Sequence, residues 1–86
     1  MLSEFIITPH AQERMNQRGN TEEQVRTVVT EPEQEFDVRP GRIVMQSRLS
    51  LGATTLLLRV FMDVDRKPAE VTTVYLTDKI AKYWRT

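Results

Sequence analysis

The spacing of hydrophobic and polar residues changes once along this chain, from a helical period to an alternating one. Before Pro32, apolar residues recur at helical intervals, and Val25, Val28 and Val29 form one apolar stripe. After Pro32, apolar residues alternate with polar ones, as they do in strands that bury one face. The pattern therefore predicts an α+β fold in which two helices precede a sheet.

Capping signals set the boundaries of both helices. The first helix is predicted over 9–18, between an N-cap threonine followed by proline and a terminating glycine. The second is predicted over 22–30, since a capping box begins at Thr21 and Pro32 prevents further helix.

Four strands are predicted next, followed by a short closing helix over 78–84. The segment Phe5-Ile6-Ile7 is interpreted only as an extended lead-in. Apolar residues on both faces mark the third strand as central. We therefore expect a four-stranded antiparallel sheet with the two N-terminal helices packed on one face. The predicted strands cover 34–39, 42–50, 54–62 and 70–77.

The first helix carries the main candidate for chemistry. The only histidine of the chain, His10, is followed by Arg14 and Arg18 at intervals of four residues. At about 100° per residue, these side chains fall within roughly 80° of one helix face. Ala11 and Met15 lie within or beside the same arc. Because the apolar side of a helix docks against the protein, we expect the charged trio to face the body of the protein. This reverses the usual pattern, in which a surface helix keeps its cations on the solvent side.

Other residues extend this candidate site toward phosphate chemistry. Histidine suits proton transfer and the arginine fork suits phosphate, while Arg59 adds a cation from the central strand. Tyr75 can donate to an oxyanion, and the strand-to-helix exit supplies groups for a nucleic-acid backbone. The candidate catalytic residues are His10, Arg14, Arg18 and Arg59. The candidate substrate-binding residues are Tyr75, Lys79, Lys82 and Tyr83.

A structural interpretation of the same residues stays open. His10 then hydrogen-bonds a strand end, and Tyr83 and Trp84 are core or interface aromatics. The arginines of the first helix lay their stems over the sheet and pair with acids. Arg59, between apolar neighbours, needs an anionic partner, either a glutamate or a ligand. The acids considered for pairing with the first helix are Glu35, Asp37 and Glu70.

Composition narrows the function classes. The 86 residues predict one domain, and the absence of cysteine excludes disulfides and a thiolate nucleophile. We expect no metal or cofactor, since the chain has one histidine and no cysteine. We also expect no membrane partner and a cytoplasmic location, since no apolar run approaches the ~20 residues of a membrane span and the start lacks a basic signal-peptide region. Net charge is zero but polarised: residues 1–38 carry three cations and eight acids, whereas 39–86 carry nine cations and four acids. This neutral total disfavours strong non-specific nucleic-acid binding.

The motif His10-Ala11-x-x-Arg14-Met15-x-x-Arg18-Gly19 resembles the domain-of-unknown-function family numbered 4258. The resemblance continues through the helix start Thr21-x-x-x-Val25 and through 58–60, 71–75 and 79–84. Asn20 departs from it, since most members carry Ile or Val there. That family is similar to the RelE/ParE-type toxin fold. The resemblance implies a toxin-like domain, either a metal-independent ribonuclease acting on RNA or the ribosome or the toxin of a toxin–antitoxin pair.

A second hypothesis belongs to a different class of function. The chain is then a non-catalytic protein-binding module of the same fold. It pairs with an antitoxin-like protein or with a second copy of itself, because antiparallel sheets leave free edges. The candidate surfaces are the Glu-rich strand 34–39 and the region around Tyr83 and Trp84.

Overall fold

A computed structural model describes residues 4–86 of the chain. The α+β class is confirmed, and both long helices begin and end where the capping signals predict. The elements are β1 Phe5–Ile7, α1 Pro9–Arg18, α2 Glu22–Thr30, β2 Gln34–Arg39, β3 Arg42–Leu51, β4 Thr54–Asp63, β5 Ala69–Thr77 and α3 Ile80–Tyr83. Thr8 accepts a hydrogen bond from the Ala11 backbone N–H, and Thr21 forms the predicted capping box with Gln24.

The sheet has five strands in the order β1-β5-β4-β3-β2, so the predicted four-stranded antiparallel sheet is wrong. The lead-in Phe5-Ile6-Ile7 is β1, and it pairs parallel to Ala69–Val71 of β5. A three-residue strand is too short to show alternation, and its partner lies more than 60 residues away in sequence. The remaining strands form the predicted antiparallel meander, and β4 is the middle strand of the five.

The hydrophobic core lies between α1, α2 and one face of the sheet. The helices contribute Ala11, Met15 and the valine stripe of α2, all of which are buried. β3 and β4 contribute alternate residues to this core, as period two requires, and β5 contributes Val71 and Val74. The sheet residues in this core include Met45, Leu58, Val60, Met62, Val71 and Val74.

A β-bulge in β5 reverses the faces of the sheet to which the side chains of its second half point. Met62 pairs with Val71, whereas the preceding Phe61 pairs with Thr73, so one extra residue stands in β5. Val71 and Val74 therefore both face the core. Simple alternation over 70–77 would put Val71 on the same face as Tyr75, but the bulge inverts the alternation and places them on opposite faces.

The three helices do not share one face of the sheet. α1 begins where the pairing of β1 with β5 ends, as the Thr8 backbone N–H donates to the Val71 carbonyl at 3.1 Å, and α1 packs against β5. α2 packs over β3 and β4. α3 lies on the opposite face, where the backbone carbonyl of Tyr83 accepts from Gln46 Nε2 at 3.1 Å. The side chains of Arg59 and Tyr75 project from this second face.

An ion pair joins the loop before β2 to β3. The carboxylate of Glu33 accepts hydrogen bonds from the backbone N–H of Arg48 at 2.7 Å and from its guanidinium Nη2 at 2.8 Å. These contacts lower the pKa of Glu33 from 4.5 to about 2. Because the native pKa is depressed, the stabilisation is complete above pH 4.5 and is lost as pH falls toward 2.

We expect Glu33→Gln to lower the free energy of unfolding at pH 7 by about 1 kcal/mol or less, since both partners are more than one-third exposed and water screens the pair. The difference from the unmodified protein should shrink between pH 4.5 and 2. Urea denaturation at several pH values measures both quantities. Glu31→Gln is the matched control, and an equal loss in that variant would show that general charge, not the pair, is responsible.

Candidate functional site

Three arginines and two tyrosines surround an open cleft of about 510 Å³ on the face of the sheet that carries α3. α1 contributes Arg14 and Arg18, and β4 contributes Arg59. Phe61 and Thr73 form part of the floor. We call this feature the arginine cleft. Its tyrosines are Tyr75 of β5 and Tyr83 of α3.

Five of the eight predicted site residues thus lie together, and three do not. His10 is exposed in the first turn of α1 and does not line the cleft. Lys79 and Lys82 are exposed and are absent from its lining, although Lys82 Nζ lies 5.4 Å from the centre of the Tyr83 ring.

The prediction that the charged trio faces the body of the protein was wrong. Ala11 and Met15 occupy that position, whereas His10 and Arg18 are exposed and Arg14 is half-buried. The two apolar side chains gain more from burial than the charged ones, which keep contact with water. The arginines flank the buried stripe and extend toward the cleft.

No carboxylate within 4.0 Å pairs with the arginines of the cleft in the part of the chain that the structure describes. The predicted pairing with Glu35, Asp37 or Glu70 is therefore wrong. The cleft is a concentration of uncompensated positive charge in a protein whose net charge is zero. The ion pairs of residues 4–86 involve other arginines, namely Arg26, Arg42, Arg48 and Arg66.

Arg59 is the most constrained of the three cations. Its guanidinium lies 4.2 Å from the ring centre of Tyr83 and 5.2 Å from that of Phe61, and its Nε donates to Gln46 Oε1 at 2.9 Å. Burial lowers the pKa of Arg59, since desolvation disfavours the charged form. An arginine nevertheless remains protonated at neutral pH. Arg59 is therefore a half-buried charge whose only side-chain hydrogen-bond partner among residues 4–86 is neutral.

Tyr75 lies between positive groups. The guanidinium of Arg18 is 5.5 Å from its ring centre, and the Tyr83 ring meets it edge-on at 5.8 Å. The hydroxyls of Tyr83 and Thr77, in that order, lower the pKa of Tyr75, and the charges of Lys82 and Arg18 add to the effect. The arrangement stabilises the phenolate form of Tyr75 relative to that of a free tyrosine.

One residue important to the cleft was missed by sequence reasoning. Gln46 is 0 % exposed, and it joins Arg59 to Gln34 across the sheet. Together with Tyr75 these residues form one row across β2, β3, β4 and β5, each opposite the next. The only sequence signal for Gln46 was its position in the middle of a strand, and that position does not distinguish a buried glutamine from an exposed one.

The second predicted surface, strand β2, lies at one edge of the sheet. Its Val38 is exposed, while Phe36 stacks beneath the Arg85 guanidinium at 3.6 Å from the ring centre. Tyr83 belongs to the arginine cleft, and Trp84 stacks with Arg48 at 4.6 Å instead of entering the core cluster.

Comparison of the chain with protein-family models, curated proteins and solved structures gives no match. The resemblance to family 4258 and to the RelE/ParE-type fold therefore stays a prediction from motifs. Within residues 4–86, no helix has the length and apolarity to cross a membrane. The same residues contain no group of three or more His, Cys, Asp or Glu side chains placed to hold a metal ion.

Proposed function

We propose that the arginine cleft binds a phosphodiester of single-stranded RNA and cleaves it with protein groups as catalysts. The observation that carries the proposal is Arg59, a half-buried cation without a carboxylate partner among the described residues. An uncompensated charge is costly to bury. A bound anion supplies the missing partner and releases water from the guanidinium.

The lining of the cleft favours a phosphodiester over other anions. Arginine forks match the two non-bridging oxygens of phosphate. Arg14 and Arg18, on consecutive turns of α1, contribute further charge along the same opening. Open clefts that combine arginines with aromatic rings suit unpaired nucleotides, whose bases are free to stack.

The reaction that fits these groups is attack by the ribose 2′-hydroxyl on the adjacent phosphorus. The 2′-oxygen forms a bond to phosphorus, the bond from phosphorus to the 5′-oxygen breaks, and the products end in a 2′,3′-cyclic phosphate and a 5′-hydroxyl. The arginines stabilise the negative charge that develops on the phosphoryl oxygens. Tyr75, as phenolate, accepts the 2′-hydroxyl proton, and water in the open cleft protonates the leaving oxygen.

His10 has no catalytic role in this proposal, because it does not line the cleft. Tyr75 replaces His10 as the residue proposed to accept the proton. The resemblance to RelE/ParE-type proteins implies the same class of reaction, and it also implies control by an antitoxin, which is part of the proposal.

The test uses the purified protein, a labelled single-stranded RNA and a DNA of the same sequence, in buffer with EDTA, with and without ribosomes. We expect both oligonucleotides to bind and only the RNA to be cut, leaving a cyclic phosphate, because DNA lacks the attacking hydroxyl. Binding without cleavage would overturn the catalytic part of the proposal. If the RNA or the DNA fails to bind, the proposal that the arginine cleft is a binding site is overturned.

A further inference from the structure

Gln46 has its hydrogen-bonding groups engaged beneath the arginine cleft. Its Oε1 accepts from Arg59 Nε at 2.9 Å, while its Nε2 donates to Gln34 Oε1 at 2.7 Å and to the Tyr83 carbonyl at 3.1 Å. Arg59 Nε is only a donor and the other two atoms are acceptors, so the amide has one compatible orientation. Because the side chain is 0 % exposed, water offers no substitute for these partners.

This contact determines which edge of Arg59 is available to a ligand. Nε is occupied by Gln46 and one face of the guanidinium is stacked on Tyr83. Neither Nη atom has a hydrogen-bond partner within residues 4–86. The only buried side-chain nitrogen or oxygen without a partner in that range is Asn20 Oδ1, so both Nη atoms of Arg59, which lines the cleft, are accessible to solvent. The free edge of Arg59 is therefore the Nη1–Nη2 pair, which can contact two oxygens of one anion.

We infer that Gln46 is a positioning residue that holds Arg59 as a fixed two-pronged oxyanion receptor, an inference that rests on the proposed phosphodiester site. Holding the guanidinium in place before binding lowers the conformational entropy lost when the anion arrives. An amide does this without neutralising the charge. A glutamate at position 46 would also accept from Nε, but it would cancel the charge that attracts the ligand.

Two substitutions separate position from charge. Gln46→Met is similar in volume and leaves the charge of Arg59 intact, but it removes the hydrogen bond to Arg59 together with those to Gln34 and the Tyr83 carbonyl. We expect it to weaken binding of the uncut DNA oligonucleotide about tenfold, as for the loss of one hydrogen bond to a charged group. Gln46→Glu keeps the acceptor for Arg59 Nε, adds a negative charge and loses the two bonds that Nε2 donates, and it should weaken binding more than Gln46→Met does. Gln12→Met, on the exposed surface of α1, is the matched control.

A measurement on the unmodified protein does not depend on whether a variant folds. The Arg59 Nε–H proton should exchange with water much more slowly than that of the exposed Arg39, as observed by NMR of arginine side chains. Equal exchange rates would overturn the inference. Fluorescence anisotropy with the DNA oligonucleotide gives the dissociation constants, and thermal unfolding checks the variants. A folded Gln46→Met variant that binds as tightly as the unmodified protein would also overturn it.

Failure of this inference differs from failure of the proposed function. If Arg59→Ala abolishes binding while Gln46→Met has no effect, the phosphodiester site stands and only the positioning role of Gln46 is lost. If Arg59→Ala itself binds normally, the proposed function fails, and with it any role of Gln46 in that function.

Discussion

Arg59→Ala is expected to weaken binding of a single-stranded oligonucleotide about 100-fold, equivalent to about 2.8 kcal/mol, because it removes the central cation of the cleft. The guanidinium is already partly desolvated and held in position, so ligand binding costs it little further desolvation or conformational entropy. Stability should also fall, by roughly 1–3 kcal/mol, since the buried Oε1 of Gln46 loses the hydrogen bond from Arg59. Anisotropy at one fixed salt concentration measures the binding, and chemical denaturation measures the stability.

Two further variants separate geometry from charge. Arg59→Lys keeps the charge and loses the planar fork, and it should bind more weakly than the unmodified protein but more tightly than Arg59→Ala. Arg39→Ala removes the same charge from an exposed position on β2 outside the cleft. Equal dissociation constants for Arg59→Ala and Arg39→Ala would show that net charge alone drives binding, and the cleft would lose its role.

The elements set by local chemistry were predictable from the sequence. α1 and α2 begin and end at the predicted residues because their caps are contacts within three or four positions. Threonine side chains cap the N-termini, and backbone N–H groups of Gly19 and Glu31 cap the C-termini. The strand β1 was not predictable, since its parallel pairing with β5 depends on residues far along the chain. The bulge in β5 also escaped, because it is visible only when the registers of β4 and β5 are compared.

The residues of the candidate site also divide into those that local sequence patterns predict and those that depend on tertiary contacts. Helical spacing placed Arg14 and Arg18 on one side of α1. The pairing of Tyr75 with Arg59 depends on the register of β4 and β5, which strand alternation does not give. The spacing that grouped His10 with these arginines describes only the helix, and it does not reveal which turn of α1 reaches the cleft. Gln46 escaped because its partner in α3 lies 37 residues later. Its burial follows from tertiary contacts that have no local signature.

The assignment of the proton acceptor leads to a direct comparison of two variants. Tyr75→Phe should retain oligonucleotide binding within a few-fold and lose about 100-fold in cleavage rate, as is typical when a general base is removed. His10→Ala should cleave at the rate of the unmodified protein, since His10 does not line the cleft. Single-turnover cleavage of the labelled RNA measures both rates. The opposite result, with cleavage lost only in His10→Ala, would assign proton transfer to the histidine of α1.

The pH dependence provides a separate test of Tyr75. A general base acts when deprotonated, so the cleavage rate should rise with pH toward the pKa of Tyr75. That pKa is lowered chiefly by the Tyr83 hydroxyl, which places the midpoint below the value of about 10 for a free tyrosine. Tyr83→Phe removes the largest cause of the shift and keeps the ring on which Arg59 stacks, so it should move the midpoint upward while Arg59 remains in place. A midpoint that does not move in Tyr83→Phe would show that the titrating group is not Tyr75.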